Sequence, residues 1–511
     1  MLVAARGYDH SRYLTLPALK GPVFYMSALA RYRHEWFGNI TRDTLAGMVG
    51  TFALIPEVIA FSFVAGVDPA VGLYASFVIS VVIAFTGGRS GMISGAAGSV
   101  ALVAAALVRG HGVQYLLAAT LLCGLLQVLF GILKLDVLMR YVSRPVRTGF
   151  VNALAILIFS AQLPHMLHVT WHTYAMIALG LAIIYTVPRF FSAIPSPLIC
   201  IVVLTVVAVA CPMPLHTVAD LGRLPDSLPH LVLPDVPFSL DTLGIIAPYA
   251  LAMASVGMLE SMMTARVVDD LTDTHSSKKQ ECMGLGVANI AVGLFGGIAG
   301  CGMIGQTVGN LRYGGRGRLS TFVAGAFLLL LMVALRPWVA QVPVAALVAI
   351  MIMVSASTFS WGSLRDLAHH PRTTSIIMLA TVAVVVGTHD LAAGVAVGVL
   401  LNGLFFAFQV SNMLSVTSTL SPDGLSRTYI VNGQVFFASS DGFTDAFDLH
   451  DAARDITIDL THAHLWDMTA AGALEELVGR MKAQGMQVRL TGLNTASATL
   501  IERHTGLESL T

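Results

Sequence analysis

Two glutamates of this sequence lie in apolar stretches where a charged side chain is costly. Glu260 is the only charged residue before Arg266 in the run LAMASVGMLESMMTARVV, residues 251–268, and Glu57 follows Pro56 in FALIPEVIAFS, residues 52–62. A carboxylate near the centre of a bilayer costs at least a few kcal/mol unless it faces a cavity, a cation or a proton. Both residues are therefore candidates for binding a cation or a proton.

The composition places both glutamates in a membrane protein. Of 511 residues, 56% are hydrophobic and only 11% are charged, with a mean hydropathy of +0.76, whereas soluble chains are about 25% charged. The formal net charge is zero, so nothing indicates a nucleic-acid partner. The five cysteines have no paired spacing, and we predict no metal site, no disulfide framework and no cofactor.

Apolar segments divide the chain into about fourteen spans. They cover residues 44–65, 70–87, 91–108, 113–133, 148–164, 173–188, 195–211, 243–267, 283–300, 302–313, 319–335, 342–360, 374–388 and 391–412. Twenty of the Lys and Arg residues before residue 420 fall in loops on one side, and only Arg109, Arg223 and Arg336 fall on the other. This bias predicts a multi-pass protein of the inner membrane with both termini in the cytoplasm.

A proline-rich connection, about residues 211–241, separates seven spans from seven. An odd number of spans in each half makes the halves antiparallel, as in transporters built from inverted repeats. Glu57 and Glu260 then occupy matching places, midway along the first span of each half. The predicted domains are a cytoplasmic segment (1–40), a transmembrane domain (41–420, with halves of about 41–211 and 241–415) and a C-terminal domain (425–511).

The third span of each half is rich in small residues. ISGAAGSV covers residues 93–100, and GGIAGCGMIGQTVGN covers residues 296–310. Small residues permit tight helix packing, but they also suit two half-helices whose N-terminal amides point into one central cavity and favour an anion. The candidate substrate-binding residues here are Ala97, Gly98, Ser99, Met303, Ile304, Gly305, Gln306 and Thr307.

After about residue 420 the pattern changes to alternating strands and an amphipathic helix. SRTYIVNGQVFFASS and DITIDLTHAHL alternate as strands do, AAGALEELVGRMKAQG has helical spacing, and MQVRLTGL follows as a strand. This order predicts a small α/β domain on the cytoplasmic side.

These features together resemble one family. TRDTLAGMVGTFALIPEVIAFSFVAGVDPAVGLYASF, KKQECMGLGVANIAVGLFGG and GGRGRLS, with the small C-terminal domain, are similar to the sulfate permease (SulP) family, bacterial relatives of the solute carriers that include prestin. The resemblance implies a seven-plus-seven inverted repeat with core and gate domains, a homodimer, and a STAS domain at the C-terminus. It also implies a transporter rather than an enzyme.

The resemblance assigns roles to single residues. It makes Glu57, where many members have Gln, and Phe61, where an aromatic ring lines the anion pocket, two further substrate-binding residues. It places Glu260 with Thr264 at the cation-coupling position of the eighth span. Many members have Arg where this chain has Gln306, so a fixed positive charge is missing from the expected anion site. In the STAS-like region, Asp467 and Thr469 match a phosphorylation motif, although an N-cap of the following helix explains the same residues.

The expected function is secondary active transport of an anion by alternating access, with proton symport through Glu260 and Glu57. The substrate is a sulfate-like inorganic anion or a dicarboxylate. Sodium-coupled bicarbonate symport and an anion exchanger or channel are the alternatives. The expected partners are the anion, the lipid bilayer, a second copy of the chain, and a cytoplasmic partner of the STAS domain.

Overall fold

The structure is a computed structural model, and it describes residues 28–135, 141–167, 169–190, 196–211, 214–222, 224, 227–369, 371–450 and 453–505. The described residues form two compact units, one within residues 1–136 and 161–353 and the other within residues 137–160 and 354–511. Of the predicted N-terminal segment 1–40, residues 1–27 lie outside the described residues.

Each of the fourteen apolar segments contains most of a helix. Helix α1 (Ala28–Phe37) precedes the first half. In the first half the helices are α2 (Ile40–Ala65), α3 (Pro69–Thr86), α4 (Gly98–His111), α5 (Val113–Ile132), α6 (Arg144–Ser160), α7 (Trp171–Thr186) and α8 (Ser196–Ala210). Helix α9 (Val218–Leu221) lies in the connection between the halves. In the second half the helices are α10 (Leu240–Thr272), α11 (Lys278–Leu294), α12 (Ile304–Arg312), α13 (Arg318–Ala334), α14 (Arg336–Val339), α15 (Val344–Thr358), α16 (Gly362–His369), α17 (Arg372–Thr388) and α18 (Leu391–Ser411). The chain is a multi-pass helical membrane protein.

By length and composition, eight of the helices in the described part of the chain can cross a membrane, and four shorter apolar helices accompany them. The two remaining predicted segments correspond to α11 and α12, which carry more polar residues. They belong to the second half, where α12 is only 9 residues long.

The third segment of each half is a strand followed by a helix, not a continuous span. Strand β1 (Ser94–Ala96) leads through Ala97 into α4, and strand β2 (Gly300–Gly302) leads through Met303 into α12. The two strands pair antiparallel, with Ser94 opposite Gly302 and Ala96 opposite Gly300. The helices α4 and α12 therefore begin at opposite ends of one short ladder.

Small residues are required where β1 and β2 pair. A Cβ atom placed on Gly95 would lie 3.2 Å from Leu54 Cδ1 and 3.3 Å from Met303 Sδ. A Cβ atom on Gly300 would meet the backbone carbonyl of Gly95. The glycines and alanines of these segments thus allow two backbones to approach each other inside the protein.

Side chains of neighbouring helices complete the hydrogen bonds of β1. Ser76 Oγ accepts from the amide of Ala96 at 2.9 Å, and Ser80 Oγ donates to the carbonyl of Ser94 at 2.5 Å. Both serines belong to α3 and are fully buried. Helix α3 therefore fixes the position of β1 through polar contacts.

Strand β2 is held in the same manner by polar residues of the second half. Asn289 of α11 accepts from the amide of Gly300 at 2.9 Å and donates to its carbonyl at 3.1 Å. Ser261 Oγ of α10 accepts from the amide of Gly302 at 2.8 Å. Asn289 also donates to Gln127 Oε1 of α5 at 2.8 Å, which ties β2 to the first half.

Two further carboxylates hold loops next to the strand–helix segments. Glu281 Oε2 accepts from the amides of Gly88 at 2.7 Å and Arg89 at 3.0 Å, just before β1. Asp43 Oδ1 accepts from the amides of Arg316 at 2.8 Å and Gly317 at 3.0 Å, just after α12. Both carboxylates are buried, and both accept hydrogen bonds from backbone amides.

The C-terminal domain is a four-stranded sheet with helices. Strands β3 (Ser415–Leu420), β4 (Ser426–Val435), β5 (Asp455–Leu465) and β6 (Gln487–Thr491) lie in the order β3-β4-β5-β6. The β3–β4 pair is antiparallel, and the β4–β5 and β5–β6 pairs are parallel. Helices α19 (Ser440–Asp445), α20 (Met468–Ala483) and α21 (Thr495–Thr505) complete it. Strand β3 precedes residue 425, where the sequence predicts the domain to begin.

Close packing of α5 against α11 gives a stability prediction. A Cβ atom on Gly286 would lie 2.6 Å from Gly124 O and 2.6 Å from Val128 N, so Gly286→Leu must separate the helices that carry Gln127 and Asn289. We expect a loss of about 2 kcal/mol or more, seen as a lower midpoint of thermal unfolding of the purified protein. Gly403→Leu on α18 is the control, because a Cβ atom there meets nothing within 4 Å. Equal midpoints for the two variants would contradict the packing described.

Candidate functional site

The first intramembrane carboxylate is held by a residue of the other half. Glu57 lies on α2 directly after Pro56, which removes one backbone hydrogen bond from the middle of that helix. Gln306 Nε2 donates to Glu57 Oε2 at 2.5 Å. Gln306 is 4% exposed and is the third residue of α12, so its side chain extends from the helix start toward α2.

The second carboxylate, in the second half, is held by a residue of the first half. Glu260 lies on α10 in the second half, and its Oε2 atom accepts hydrogen bonds from Ser99 Oγ and, at 3.2 Å, from Cys301 Sγ. Ser99 is fully buried and is the second residue of α4 in the first half. Cys301 is the central residue of β2.

The two pairs are therefore exchanged between the halves. A glutamate from the first helix of one half binds a residue from the start of the third helix of the other half. Glu57 pairs with Gln306, and Glu260 pairs with Ser99. The sequence predicts that the glutamates occupy matching positions, and the structure adds that each one is linked to the opposite half-helix.

Both half-helices begin without a side-chain cap within the described residues. The N-cap residues are Ala97 for α4 and Met303 for α12, and neither has a side chain that can accept from the first-turn amides. First-turn amides have no partner within their own helix, and they carry the positive end of the helix dipole. These two helix starts are suited to an anion.

The remaining predicted residues have different surroundings. Phe61 lies one turn after Glu57 on α2 and is 4% exposed, and Ala97, Gly98 and Met303 are buried. Gly305 is exposed, and a Cβ atom there would meet nothing within 4 Å. Open space therefore adjoins the start of α12, next to the half-buried Ile304.

Two predicted threonines contact the backbone. Thr264 Oγ1 lies 2.8 Å from the carbonyl of Glu260 and 2.9 Å from that of Gly302, which links α10 to β2. Thr307 Oγ1 accepts from the amide of Ile93 at 3.0 Å and lies 3.3 Å from its carbonyl. Both hydroxyls position the strands that precede the half-helices.

Several residues that build the site were not predicted. Asn289 and Ser261 bond directly to β2, and Gln127 bonds to Asn289. Cys301, within β2, bonds to Glu260. The available signal was the presence of Gln127 and Asn289 within otherwise apolar helices, where a polar side chain is costly unless it is hydrogen-bonded. Among the described residues, no group of three or more His, Cys, Asp or Glu side chains is placed to hold a metal ion.

In the C-terminal domain, Asp467 is an N-cap. Its Oδ1 atom accepts from the amide of Ala470 at 2.9 Å, and its Oδ2 atom accepts from the amide of Phe437 at 2.8 Å. Both oxygens of Asp467 are thus used in holding the start of α20 and the chain after β4. Thr469 is exposed in the first turn of α20.

Comparison with family models identifies the two parts of the chain. The model described as the sulfate permease family matches residues 40–177 and 165–381, and the STAS domain model matches residues 421–510. The chain belongs to the sulfate permease family. The STAS match covers β4, β5, β6 and the three helices of the sheet domain, and the permease match covers both glutamates and both half-helices.

Relatives within the sulfate permease family include bacterial proteins. The "Putative sulfate transporter YbaR" of Bacillus subtilis is 52% identical over 92% of this chain and 98% of its own length. The "Bicarbonate transporter BicA" of Picosynechococcus is 27% identical over 74% of this chain and 72% of its own length. The names of these relatives concern two different anions.

Solved structures show the same fold. The transmembrane domain of a cyanobacterial bicarbonate transporter BicA aligns with a TM-score of 0.65 at 25% identity, over 70% of this chain and 98% of that chain. The murine Slc26a9 anion transporter in its inward-facing state aligns with a TM-score of 0.80 at 17% identity, over 98% of this chain and 94% of that chain. The second likeness extends across both the membrane region and the STAS domain.

The exchanged pairing predicts a measurable coupling between the halves. A double-mutant cycle of Glu260→Ala and Ser99→Ala should give a coupling free energy of about 0.5–3 kcal/mol, because each single change removes the same hydrogen bond. A cycle of Glu57→Ala with Ser99→Ala should give none, since those residues do not bond to each other. Midpoints of thermal unfolding of the purified variants provide the four values of each cycle. Equal coupling in both cycles would contradict the pairing.

Proposed function

We propose that the protein carries a small anion across the membrane by alternating access, with the anion bound at the starts of α4 and α12 and a cation carried by Glu260 and Glu57. The observation that supports this proposal is the exchanged pairing of the two carboxylates with Ser99 and Gln306. It places a group that can bind a cation next to each helix start that can bind an anion.

The charges of this arrangement favour a coupling ion. An anion at the helix starts would be repelled by two ionised glutamates nearby, and Gln306 supplies a hydrogen-bond donor but no positive charge. Binding of a proton or a cation to a glutamate removes the repulsion. Anion and cation would then bind together, which is the condition for symport.

We propose a proton as the coupling ion. Cys301 Sγ lies 3.2 Å from Glu260 Oε2, and a sulfur atom is a poor neighbour for a hard cation that prefers oxygen ligands. A proton needs only the carboxylate. Sodium is the alternative, since oxygen ligands are also present there. They are the carboxylate of Glu260, the hydroxyls of Ser99 and Thr264, and the carbonyl of Gly302.

The substrate in this proposal is a sulfate-like inorganic anion or a dicarboxylate. The sulfate transporter name of the 52% identical relative favours sulfate. The bicarbonate transporter name of the more distant relative gives sodium-coupled bicarbonate symport as the alternative, with an anion exchanger or channel as a further one. Uptake of labelled sulfate, bicarbonate and succinate by proteoliposomes, with proton or sodium gradients imposed separately, distinguishes these cases.

The proposal also includes the membrane, the oligomeric state and the orientation of the protein. We place the protein in the inner membrane as a homodimer with both termini in the cytoplasm, in accord with the bias of Lys and Arg in the loops. The STAS domain then regulates transport through a cytoplasmic partner. Exposed Thr469 is the proposed acceptor of a phosphate, which would be stabilised at the start of α20.

The coupling role of Glu260 gives the first functional prediction. Glu260→Gln keeps the shape of the side chain but cannot ionise, so we expect anion exchange between equal solutions to continue while gradient-driven accumulation falls to about the equilibrium level. Labelled-anion uptake into proteoliposomes measures both quantities.

Glu281→Gln is the matched control for that experiment. Glu281 is also a buried carboxylate, but its Oε2 atom accepts from backbone amides away from the half-helix starts. Glu281→Gln should keep accumulation. Concentrative uptake by Glu260→Gln at the rate of the unchanged protein would reject the proposed role.

The position of the anion gives the second functional prediction. Gly305→Leu fills the open space beside the start of α12, so we expect the apparent affinity for the anion to fall by about tenfold or more, which corresponds to about 1.4 kcal/mol. Gly309→Leu is the control, because a Cβ atom at Gly309 also meets nothing within 4 Å but lies one turn further along α12. Competition of unlabelled against labelled anion measures the affinity. An unchanged affinity in Gly305→Leu would place the anion elsewhere.

A further inference from the structure

Three large apolar side chains are exposed together at one edge of the STAS domain. Phe437 is 65% exposed, Trp466 is 60% exposed and Met468 is 47% exposed. We call these three residues the apolar edge. Strands β4 and β5 pair in parallel, with Val435 opposite Leu465 at their ends. Phe437 lies two residues after the end of β4, Trp466 follows directly after β5, and Met468 begins α20.

The apolar edge is firmly built. The ring of Phe436 packs edge-on against Phe437 at 5.2 Å between centroids, and Trp466 Nε1 donates to Gln434 Oε1 at 2.7 Å. The backbone amide of Phe437 is bound by Asp467. The exposed rings are therefore fixed in place at the surface rather than carried on a loose loop.

The strand directions show where the apolar edge lies. Helix α18 ends at Ser411, and β3 begins four residues later at Ser415, which pairs with Asn432 of the antiparallel β4. Strand β4 therefore runs back toward α18. Val435 lies three residues beyond Asn432, about 10 Å further in that direction at the usual rise of a strand.

A close contact confirms this direction. A Cβ atom on Gly433 would lie 2.7 Å from the carbonyl of Met413 and 3.0 Å from Leu414 Cα. Gly433 also has a φ of +116°, a conformation that side chains disfavour. The end of β4 thus lies against the chain that leaves α18.

Helix α18 gives the level of the bilayer. It is an apolar helix of 21 residues that can cross a membrane, and Leu400, Leu404 and Phe408 along it are each more than 60% exposed. Such a helix buries its exposed apolar side chains in lipid. The apolar edge consequently lies near the membrane boundary, on the side where α18 ends.

We propose that the apolar edge of the STAS domain inserts into the interfacial layer of the lipid bilayer. Tryptophan and other aromatic side chains favour this layer, because one part of it is apolar and the other is hydrated. The proposal rests on the strand geometry and on the membrane helix α18, and it does not depend on the proposed transport function.

The charges of the domain show which lipids are needed. Arg427 and Arg454 lie at the opposite ends of β4 and β5, whereas Asp441 and Asp445 of α19 follow the apolar edge in the chain. No attraction to anionic headgroups is therefore expected. Insertion should occur equally in zwitterionic lipid.

Site-directed spin labelling of the full chain tests the proposal. Cys211 is the exposed cysteine, and the other four are buried, so the labels are introduced by Phe437→Cys or Met468→Cys in a Cys211→Ser background, in phosphatidylcholine nanodiscs. Leu425→Cys is the matched control, because Leu425 is 60% exposed and lies just before the other end of β4. Collision rates with oxygen, which concentrates in lipid, and with a water-soluble nickel chelate are measured for each label.

We expect a several-fold rise in the ratio of oxygen to nickel collisions at positions 437 and 468 relative to position 425, and no change when half of the lipid is replaced by phosphatidylglycerol. Three outcomes would overturn the proposal. The first is frequent nickel collisions at both edge positions. The second is shielding of those positions from oxygen and nickel alike, which indicates a protein contact. The third is lipid contact that occurs only when phosphatidylglycerol is present.

Discussion

The fold depends on one constraint, that two short backbones inside a membrane protein must have their hydrogen-bonding groups satisfied. Strands β1 and β2 interrupt what would otherwise be continuous helices, and an unsatisfied amide or carbonyl in such a place costs several kcal/mol. The strands satisfy part of this need by pairing with each other. Serines of α3 and Asn289 of α11 satisfy more of it.

The same constraint creates the candidate site. A helix that begins in the interior exposes its first amides there, and the two helices begin at opposite ends of one ladder. Ser99 and Gln306, which lie in the first turns, can then reach carboxylates on helices of the opposite half. The polar residues that appear costly in the sequence are hydrogen-bonded to one another at this candidate site.

The sequence predicted the features that carry a strong signal. Glu57 and Glu260 stood out because a carboxylate within an apolar run is rare, and the helices could be located because about 20 apolar residues form a long pattern. The family follows from motifs spread along most of the chain. These predictions required no knowledge of which side chains meet.

Other features had no readable signal. Three-residue strands of Gly, Ala, Ser and Cys are too short to show alternation, so β1 and β2 were predicted only as parts of half-helices. The pairing of Glu260 with Ser99 depends on the crossing of the halves, and serine is common in membrane helices. Strand β3 was not predicted, because SVTSTL is mostly polar, which is typical of an edge strand or a linker. In the structure this strand is mostly exposed.

The exchanged pairing also bears on how such a chain evolves. In an ancestor made of two identical halves, both carboxylates would face the same kind of partner. Here one faces a hydroxyl and a thiol, and the other faces an amide. Each glutamate and its partner are encoded in different halves. A substitution of one residue therefore affects a pair whose other member lies in a distant part of the gene. Once the halves have diverged in this way, neither can be replaced by a second copy of the other without changing both pairs at once.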